Sequence, residues 1–346
     1  GQTPIYDMAL SFMASSEDPI SGGRHKVLGS KALNVPPQTS TIASHLPKAV
    51  GTAFSIDRAK DLDIPERKLK GDSIVLCSFG DASANHASAL SAINTASWVS
   101  NCGGHVPIIF ICEDNGTGIS VPTHENWIEQ NFSNRPRLDY VQTDGLHLID
   151  LIIKSRQVSR DCRINRSPIF LHMKTVRLMG HAGSDVELGY KSLVDIEETE
   201  FNDPLLHSAR ILIENNCISS EEIIRLYESI RTQVNYVFEA ATLRPKLETS
   251  ESVMKSITAN LSPRRSPSHP NTHERQSLFG KEFKRIKQSY HMAKLINYSL
   301  SDILLRYSNT LVFGEDVAQK GGVYHLTADL YKQFGVRRVF NSPLDE

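Results

Sequence analysis

What this sequence lacks narrows the field first. It has no excess of either charge: Lys plus Arg number 38 against 39 Asp plus Glu, a formal net charge of −1. So even a balance offers no broad positive face for nucleic acid or for an anionic membrane surface. Long apolar runs are also missing. The longest, VPIIFIC at 106–112, is far short of the roughly 20 residues a membrane helix needs. Cysteine is sparse: Cys77, Cys102, Cys112, Cys162 and Cys217 are scattered, odd in number and form no C-x-x-C pair. That argues against a disulfide framework or a zinc site and for a reducing compartment. Residues 1–9 hold no basic start followed by an apolar stretch, so no signal peptide is read there. The expectation is a soluble, cytoplasmic protein with no nucleic-acid and no membrane partner.

What is present points to a globular enzyme-sized chain. At 346 residues two folded units are expected, and a 40% hydrophobic content suffices for a core. Gly1 is not an initiator Met and Glu346 closes no recognisable element; the chain reads as a piece of something larger. No short-period repeat is visible.

Strand and helix signals alternate through the middle. Residues 73–79 (SIVLCSF) and 106–112 are β-rich and each runs into a loop, G-D-A-S and E-D-N-G-T-G respectively. Between them 87–99 is Ala-rich with Leu90, Ile93 and Ala96 at helical spacing. Residues 146–158 read as a helix with Leu148, Leu151, Ile152 and Ile153 on its inner side, and 168–177 (PIFLHMKTVR) as another strand. Continuous apolar strands joined by helical crossovers imply an α/β fold, a parallel sheet with helices on both faces. From Ser219 the pattern turns helical. Ser219 and Glu222 have capping-box spacing ahead of Ile223, Leu226, Ile230 and Val234, and Pro245 sets the limit.

Residues 246–284 differ in kind, rich in Ser, Pro, Asn, Thr and basic residues without sustained period, and read as a flexible linker. The basic SPRRSPSHP piece (262–270) is read as part of that linker rather than as a nucleic-acid or phosphorylation patch. Beyond it, 290–306 is helical in pattern and 310–313 a short strand. The expected organisation is therefore a first domain over 1–245, the linker over 246–284 and the start of a second domain over 285–346.

The chemistry concentrates in the two loops that end the first two strands. In open parallel sheets ligands bind at the carboxyl edge, beside helix N-termini. A hard cation such as Mg²⁺ takes oxygen ligands and keeps phosphate oxygens as partners. Asp81 offers a carboxylate, Asn115 an amide oxygen and Thr117 a backbone carbonyl. Gly80 and the small Ala82 would admit a diphosphate close to the backbone, with the amides of Ala82 and Ser83, opening the next helix, donating to it. Taken singly, G-D or D-N-G is most often a turn; both together on neighbouring strands are more specific.

G-D-A with D-N-G resembles the thiamine diphosphate motif, and the chain around it is similar to the α subunit of 2-oxo acid dehydrogenase E1 components. Residues 38–51 (QTSTIASHLPKAVG) resemble the family segment that contacts the aminopyrimidine side of the cofactor, and 177–185 (RLMGHAGSD) the family's active-site loop. Residues 312–346, from VFGEDVAQKGGVY to RVFNSPLDE, resemble the start of the β subunit, so the whole looks like a fused E1 chain. The resemblance implies thiamine diphosphate and Mg²⁺ as cofactors, with Asp81, Asn115 and the Thr117 carbonyl as metal ligands. It implies Arg177 on the diphosphate and Ile42 with its backbone facing the aminopyrimidine. His181 matches the loop histidine near the reacting carbon, and Glu346 the glutamate that hydrogen-bonds the pyrimidine ring; both are the expected catalytic residues.

The implied activity is oxidative decarboxylation of a 2-oxo acid, branched-chain favoured by analogy, with acyl transfer to the lipoyl group of an E2 partner. A homo-oligomer, a dimer of fused chains, is expected. Pyruvate and acetoin-type substrates, a transketolase-type enzyme and a non-catalytic fragment are the alternatives. Three departures stand out. The 34 positions from Asp81 to Asn115 exceed the family's spacing, with 101–105 (NCGGH) as an inserted loop; His45 stands where the family often has Gln, in a segment (Thr39, Thr41, Ser44) that holds K⁺ in some members; and Ala182 occupies a phosphoserine position of some mitochondrial relatives.

Overall fold

The computed structural model describes residues 3–38, 40–257 and 270–344. Glu346, Thr39 and most of the SPRRSPSHP piece lie outside the described residues.

The chain opens with helix α1 (Pro4–Phe12) and reaches α2 (His45–Asp61) before entering the sheet at β1 (Val75–Gly80). A 3₁₀ turn (Ala82–Asn85) and α3 (Ala87–Asn101) lead to β2 (Ile108–Asp114). A two-residue ribbon, β3 (Thr117–Gly118) with β4 (Val121–Pro122), and α4 (Trp127–Phe132) precede β5 (Asp139–Asp144). Helix α5 (Leu148–Asn165) then crosses to β6 (Ile169–Lys174). The sheet order is β1-β2-β6-β5 and every pairing in it is parallel, so all four carboxyl ends emerge on one edge.

The apolar runs of these strands reach both faces because side chains alternate across a pleated strand. In β2, Ile108, Phe110 and Cys112 join one core with Leu46, Val50 and Ala53 of α2, Ala89, Ile93 and Ala96 of α3 and Phe132 of α4. Ile109 points the other way, into a smaller core with Ile169, Leu171 and Val158 and Cys162 of α5. Alanine dominates the inner face of α3, which lets that helix lie close on the sheet. At the centre Phe170 is fully buried, stacked on Phe132 with ring centroids 4.6 Å apart and flanked by Phe79 and Tyr140.

The structure corrects the reading of two elements. Helix α5 buries Val158 and Cys162 with Leu151 partly covered, whereas Ile152 and Ile153 are exposed. Spacings of three and four from Leu151 lead to Lys154–Ser155, Val158 and Cys162, so the adjacent isoleucines fall off the buried stripe. Strand β5 is absent from the sequence reading because it sits at the sheet edge and carries alternating polar residues in DYVQTD.

Three further helices, α6 (Leu193–Phe201), α7 (Pro204–Glu214) and α8 (Ser220–Thr242), follow the sheet. The Ser219–Glu222 capping box forms in full, each side chain meeting the other residue's backbone amide. The end of α8 packs on α1 through Ala241, Val237 and Phe238 against Ala9 and Leu10, and Arg244 grips Glu17 with two 2.6 Å bonds.

Part of the expected linker is folded. After a short helix α9 (Ser250–Met254), helix α10 (Thr272–Phe279) forms, with Arg275 paired to Asp302 at 2.8 and 3.0 Å and Phe279 buried edge-on against Tyr298. One ion pair and one aromatic anchor hold it, which is too little apolar periodicity to read in a polar sequence. Asp302 and Tyr298 belong to α11 (Met292–Arg306), which precedes β7 (Val312–Gly314), α12 (Leu330–Phe334) and β8 (Val339–Asn341). β7 and β8 pair in parallel over a small core of Leu304, Leu330 and Val339. Among the described residues no helix is long and apolar enough to cross a membrane.

Phe170→Ala removes the ring on which Phe132, Phe79 and Tyr140 converge. A loss of about 3–5 kcal/mol is expected, read as a lower denaturant midpoint with the slope unchanged.

Candidate functional site

The parallel register sets the site. Gly80 lies opposite Glu113 and Glu113 opposite Met173, which puts the exits of β1, β2 and β6 side by side. Asp81 follows β1 and is almost wholly buried (2% exposed), its amide bonded to Glu113 O at 3.3 Å. Asn115 follows β2, and its side-chain Oδ1 accepts from the Thr117 amide at 3.1 Å, a local turn that favours Asn at this position.

The two loops are tied together by a residue the sequence reading missed. The Thr123 hydroxyl donates to Asp81 Oδ2 at 2.6 Å, and the Thr123 amide donates to Gly116 O at 2.9 Å. Thr123 is 42 positions from Asp81 and sits in no recognisable motif, so only the folded ribbon reveals it. The ribbon also explains a glycine: a Cβ on Gly118 would lie 2.6 Å from the Ala82 methyl. Gly80, by contrast, has ordinary room for a Cβ. The tight backbone contact at Ala82 is thus made by Gly118 of the ribbon.

Ala82 and Ser83 do not open α3 as expected. They form the 3₁₀ turn, closed by i→i+3 bonds from Ala84 to Asp81 and from His86 to Ser83. His86 then adopts an extended backbone, and its Nδ1 caps the Ser88 amide at 3.1 Å to start α3 afresh.

A cleft of about 470 Å³ opens at this edge, lined by Gly80, Glu113, Asn115, Gly145, Leu146, Thr175 and Arg177 among others. Gly80, Asn115 and Arg177 of the expected residues therefore share one cleft. Gly145 and Leu146, which follow β5, were missed with that strand. Arg177 sends Nη2 to the Tyr190 hydroxyl at 3.2 Å, while its Nε is buried with no partner. An unpaired guanidinium N–H at a cleft wall suits an incoming anion.

His181 stands outside the cleft, on an exposed loop. Its amide donates to Asp185 Oδ2 at 2.6 Å, and the same oxygen accepts from the Tyr190 hydroxyl at 2.8 Å. Arg177, Tyr190, Asp185 and His181 thus form one chain that closes the loop. Ile42 is also exposed, in the turn before α2. His45 begins that helix, and its Nε2 lies 2.8 Å from the Ser78 carbonyl of β1.

The neighbouring carboxylate behaves differently from Asp81. Asp114 accepts from His172 Nε2 at 2.7 Å, from Lys174 Nζ at 2.5 Å and from the Gly116 amide at 3.1 Å. Burial pushes its carboxyl up, but the bonds from Lys174 and His172 and the lysine charge outweigh that and hold it below the usual carboxylate range. Among the described residues no Lys, Arg or His forms an ion pair with Asp81. A buried carboxylate with a hydroxyl as its recorded side-chain partner suits an added cation. Among the described residues no group of three His, Cys, Asp or Glu is placed to hold a metal ion by itself.

The family model for the dehydrogenase E1 component matches residues 2–250. The chain is 24% identical over 207 residues to the pyruvate dehydrogenase E1 component subunit alpha of Dictyostelium discoideum, covering 59% of this chain and 51% of that protein. It is 27% identical over 235 residues to the 2-oxoisovalerate dehydrogenase subunit alpha of Caenorhabditis elegans, covering 66% and 51%. The 2-oxoisovalerate dehydrogenase subunit alpha of Bacillus subtilis is 26% identical over 247 residues, 69% of each chain. The chain spans about half the length of the first two.

The loop that carries His181 depends on an ionised Asp185. The His181 amide, then the Tyr190 hydroxyl, hold that carboxyl below its ordinary 3.8. A depressed folded value means the contribution is complete above 3.8 and fades as pH falls through the folded value. Protection of the His181 amide from hydrogen exchange, corrected for intrinsic rate, should hold from pH 7 to 5 and drop below pH 3.8. Asp185→Ala, which removes the acceptor, should lose that protection at every pH, whereas Asp185→Asn, which keeps a neutral acceptor, should lose only its pH dependence.

Proposed function

The chain belongs to the dehydrogenase E1 component family, its model matching residues 2–250, and on that premise we propose that it serves the thiamine diphosphate-dependent oxidative decarboxylation of a 2-oxo acid. The observation that carries the reading is the joining of the two loops: buried Asp81, without a cationic partner among the described residues, is tied through Thr123 to the Asn115–Thr117 turn. In this reading Asp81, Asn115 and the Thr117 carbonyl hold Mg²⁺, and Gly80, Ala82 and Ser83 border the diphosphate. Arg177 supplies its unpaired Nε to the same anion. Thiamine diphosphate, when bound, supplies the nucleophilic carbon and the electron sink that decarboxylation needs.

The protein's own groups hold, orient and move protons. In the same reading Ile42 would present backbone to the aminopyrimidine, and Glu346, which lies outside the described residues, would hydrogen-bond that ring and assist its proton transfer. His181, on the loop pinned by Asp185, is the proton-transfer group at the substrate end. The acyl group passes to a lipoyl-bearing E2 partner. The branched-chain assignment is favoured because two of the relatives above are named 2-oxoisovalerate dehydrogenase subunits; pyruvate, named for the other, is the competing substrate. A fused chain carrying β-type sequence over 285–346, working as a homo-oligomer in a reducing cytoplasm, belongs to the same reading, and the five cysteines are free thiols.

Calorimetric titration of the full-length protein with thiamine diphosphate tests the clamp. Wild type should require Mg²⁺, and Asp81→Ala should weaken binding at least about 100-fold. Unchanged affinity in Asp81→Ala would overturn the metal assignment. Decarboxylation of 3-methyl-2-oxobutanoate should exceed that of pyruvate with ferricyanide as acceptor; the reverse order replaces the branched-chain assignment with pyruvate.

A further inference from the structure

Behind the Asn115 turn lies a buried polar chain that the proposed function does not use. His172 of β6 is 1% exposed and bonded at both ring nitrogens: Nε2 to Asp114 Oδ2 at 2.7 Å and Nδ1 to the Tyr140 hydroxyl at 2.6 Å. An ionised carboxylate only accepts, so Nε2 carries a proton, and in the neutral ring the Tyr140 hydroxyl donates to Nδ1. Tyr140 is in turn set by stacking on Phe170 at 6.0 Å.

The chain ends at the turn itself. Asp114 Oδ1 accepts the Gly116 amide at 3.1 Å, and the Asp114 carbonyl accepts the Thr175 amide at 2.8 Å. With Asp114 held in place by His172 below and Lys174 beside it, the backbone that presents Asn115 is fixed before any ligand arrives. Lys174 is about half exposed and free to pivot on its stem; His172 is clamped between two strands and is not. The fixed geometry therefore comes from the histidine.

We propose that His172 is a positioning residue, which orients Asp114 so that the Asn115–Gly116 turn stands preformed for the metal and diphosphate. The role rests on the reading of Asn115 as a metal ligand. Groups that orient a ligand from behind typically tune affinity by about 10–100-fold. Because Lys174 still reaches Asp114, the lower end of that range applies here.

Two substitutions separate positioning from plain structural support. Glutamine places its amide nitrogen about where Nε2 lies, and asparagine its amide oxygen about where Nδ1 lies. His172→Gln therefore keeps a donor for Asp114 and gives up Tyr140, whereas His172→Asn keeps Tyr140 and gives up Asp114. Each loses one buried hydrogen bond, and the one to the Asp114 carboxylate is the stronger, so stability falls in both and further in His172→Asn. Affinity and local exchange, read in fully folded protein, separate the two roles. Positioning predicts a split: Mg²⁺-dependent thiamine diphosphate affinity about 10-fold weaker in His172→Asn, rescued to within about twofold in His172→Gln. Tyr140→Phe should match His172→Gln. In the protein without ligand, hydrogen exchange at 115–117 should rise in His172→Asn alone. Equal affinities in the two His172 variants, with wild type binding normally, overturn the inference while leaving the proposed function standing. Absence of Mg²⁺-dependent binding in wild type overturns the proposed function and the inference with it.

Discussion

Two carboxylates, one strand apart and both nearly sealed from water, set the terms for the rest of this molecule. The parallel register delivers Asp81 and Asp114 to the same sheet edge. A buried carboxylate must find hydrogen-bond donors and positive charge, or it is costly to keep ionised. The protein answers for Asp114 from within, with His172, Lys174 and the Gly116 amide. For Asp81 it supplies a hydroxyl, from Thr123. In the proposed function that asymmetry separates the two: Asp114 is spent on holding a turn, and Asp81 keeps lone pairs for a cation.

The sheet that carries them is stable for ordinary reasons. One face is covered by α2, α3 and α4, and α5 covers the middle of the other, leaving Leu76 of edge strand β1 exposed. Charged and hydrogen-bonding side chains gather toward the carboxyl ends of β2 and β6, where Glu113, Asp114, His172 and Lys174 stand, while edge strand β5 alternates polar residues along its length. A rigid apolar slab with a polar rim fixes rim groups with little freedom left to lose. The 177–190 loop, by contrast, is held by hydrogen bonds among Arg177, Tyr190, Asp185 and His181 rather than by apolar burial.

What could be read beforehand follows from this division. Strands β1, β2 and β6 are continuous apolar runs, and their loops carry Asp81 and Asn115 in local patterns, so both were visible from neighbouring residues alone. Thr123 and His172 were not, because each reaches its carboxylate across 42 or 58 positions by a hydrogen bond that leaves no periodic trace. Strand β5 escaped notice since an edge strand needs only half its residues apolar. Helix α10 escaped for the opposite reason, being anchored by one ion pair and one ring within a polar stretch. Ile152 and Ile153 misled because two adjacent apolar residues cannot both lie on a narrow buried stripe, and here neither does.

Helix α2 links the site to the second unit. At its start His45 meets the Ser78 carbonyl of β1, two residues before the strand ends at Gly80. Toward its end Phe54 packs on Phe340 of β8 at 5.6 Å, and the Arg58 guanidinium lies over both rings. Arg58 donates to the Arg337 carbonyl and Arg337 to the Asp61 carbonyl, so the contact is reciprocal. A helix of 17 residues is roughly 25 Å of rigid rod. Pinned to β1 at one end and to β8 near the other, α2 sets the second unit's position relative to the strand that leads to Asp81.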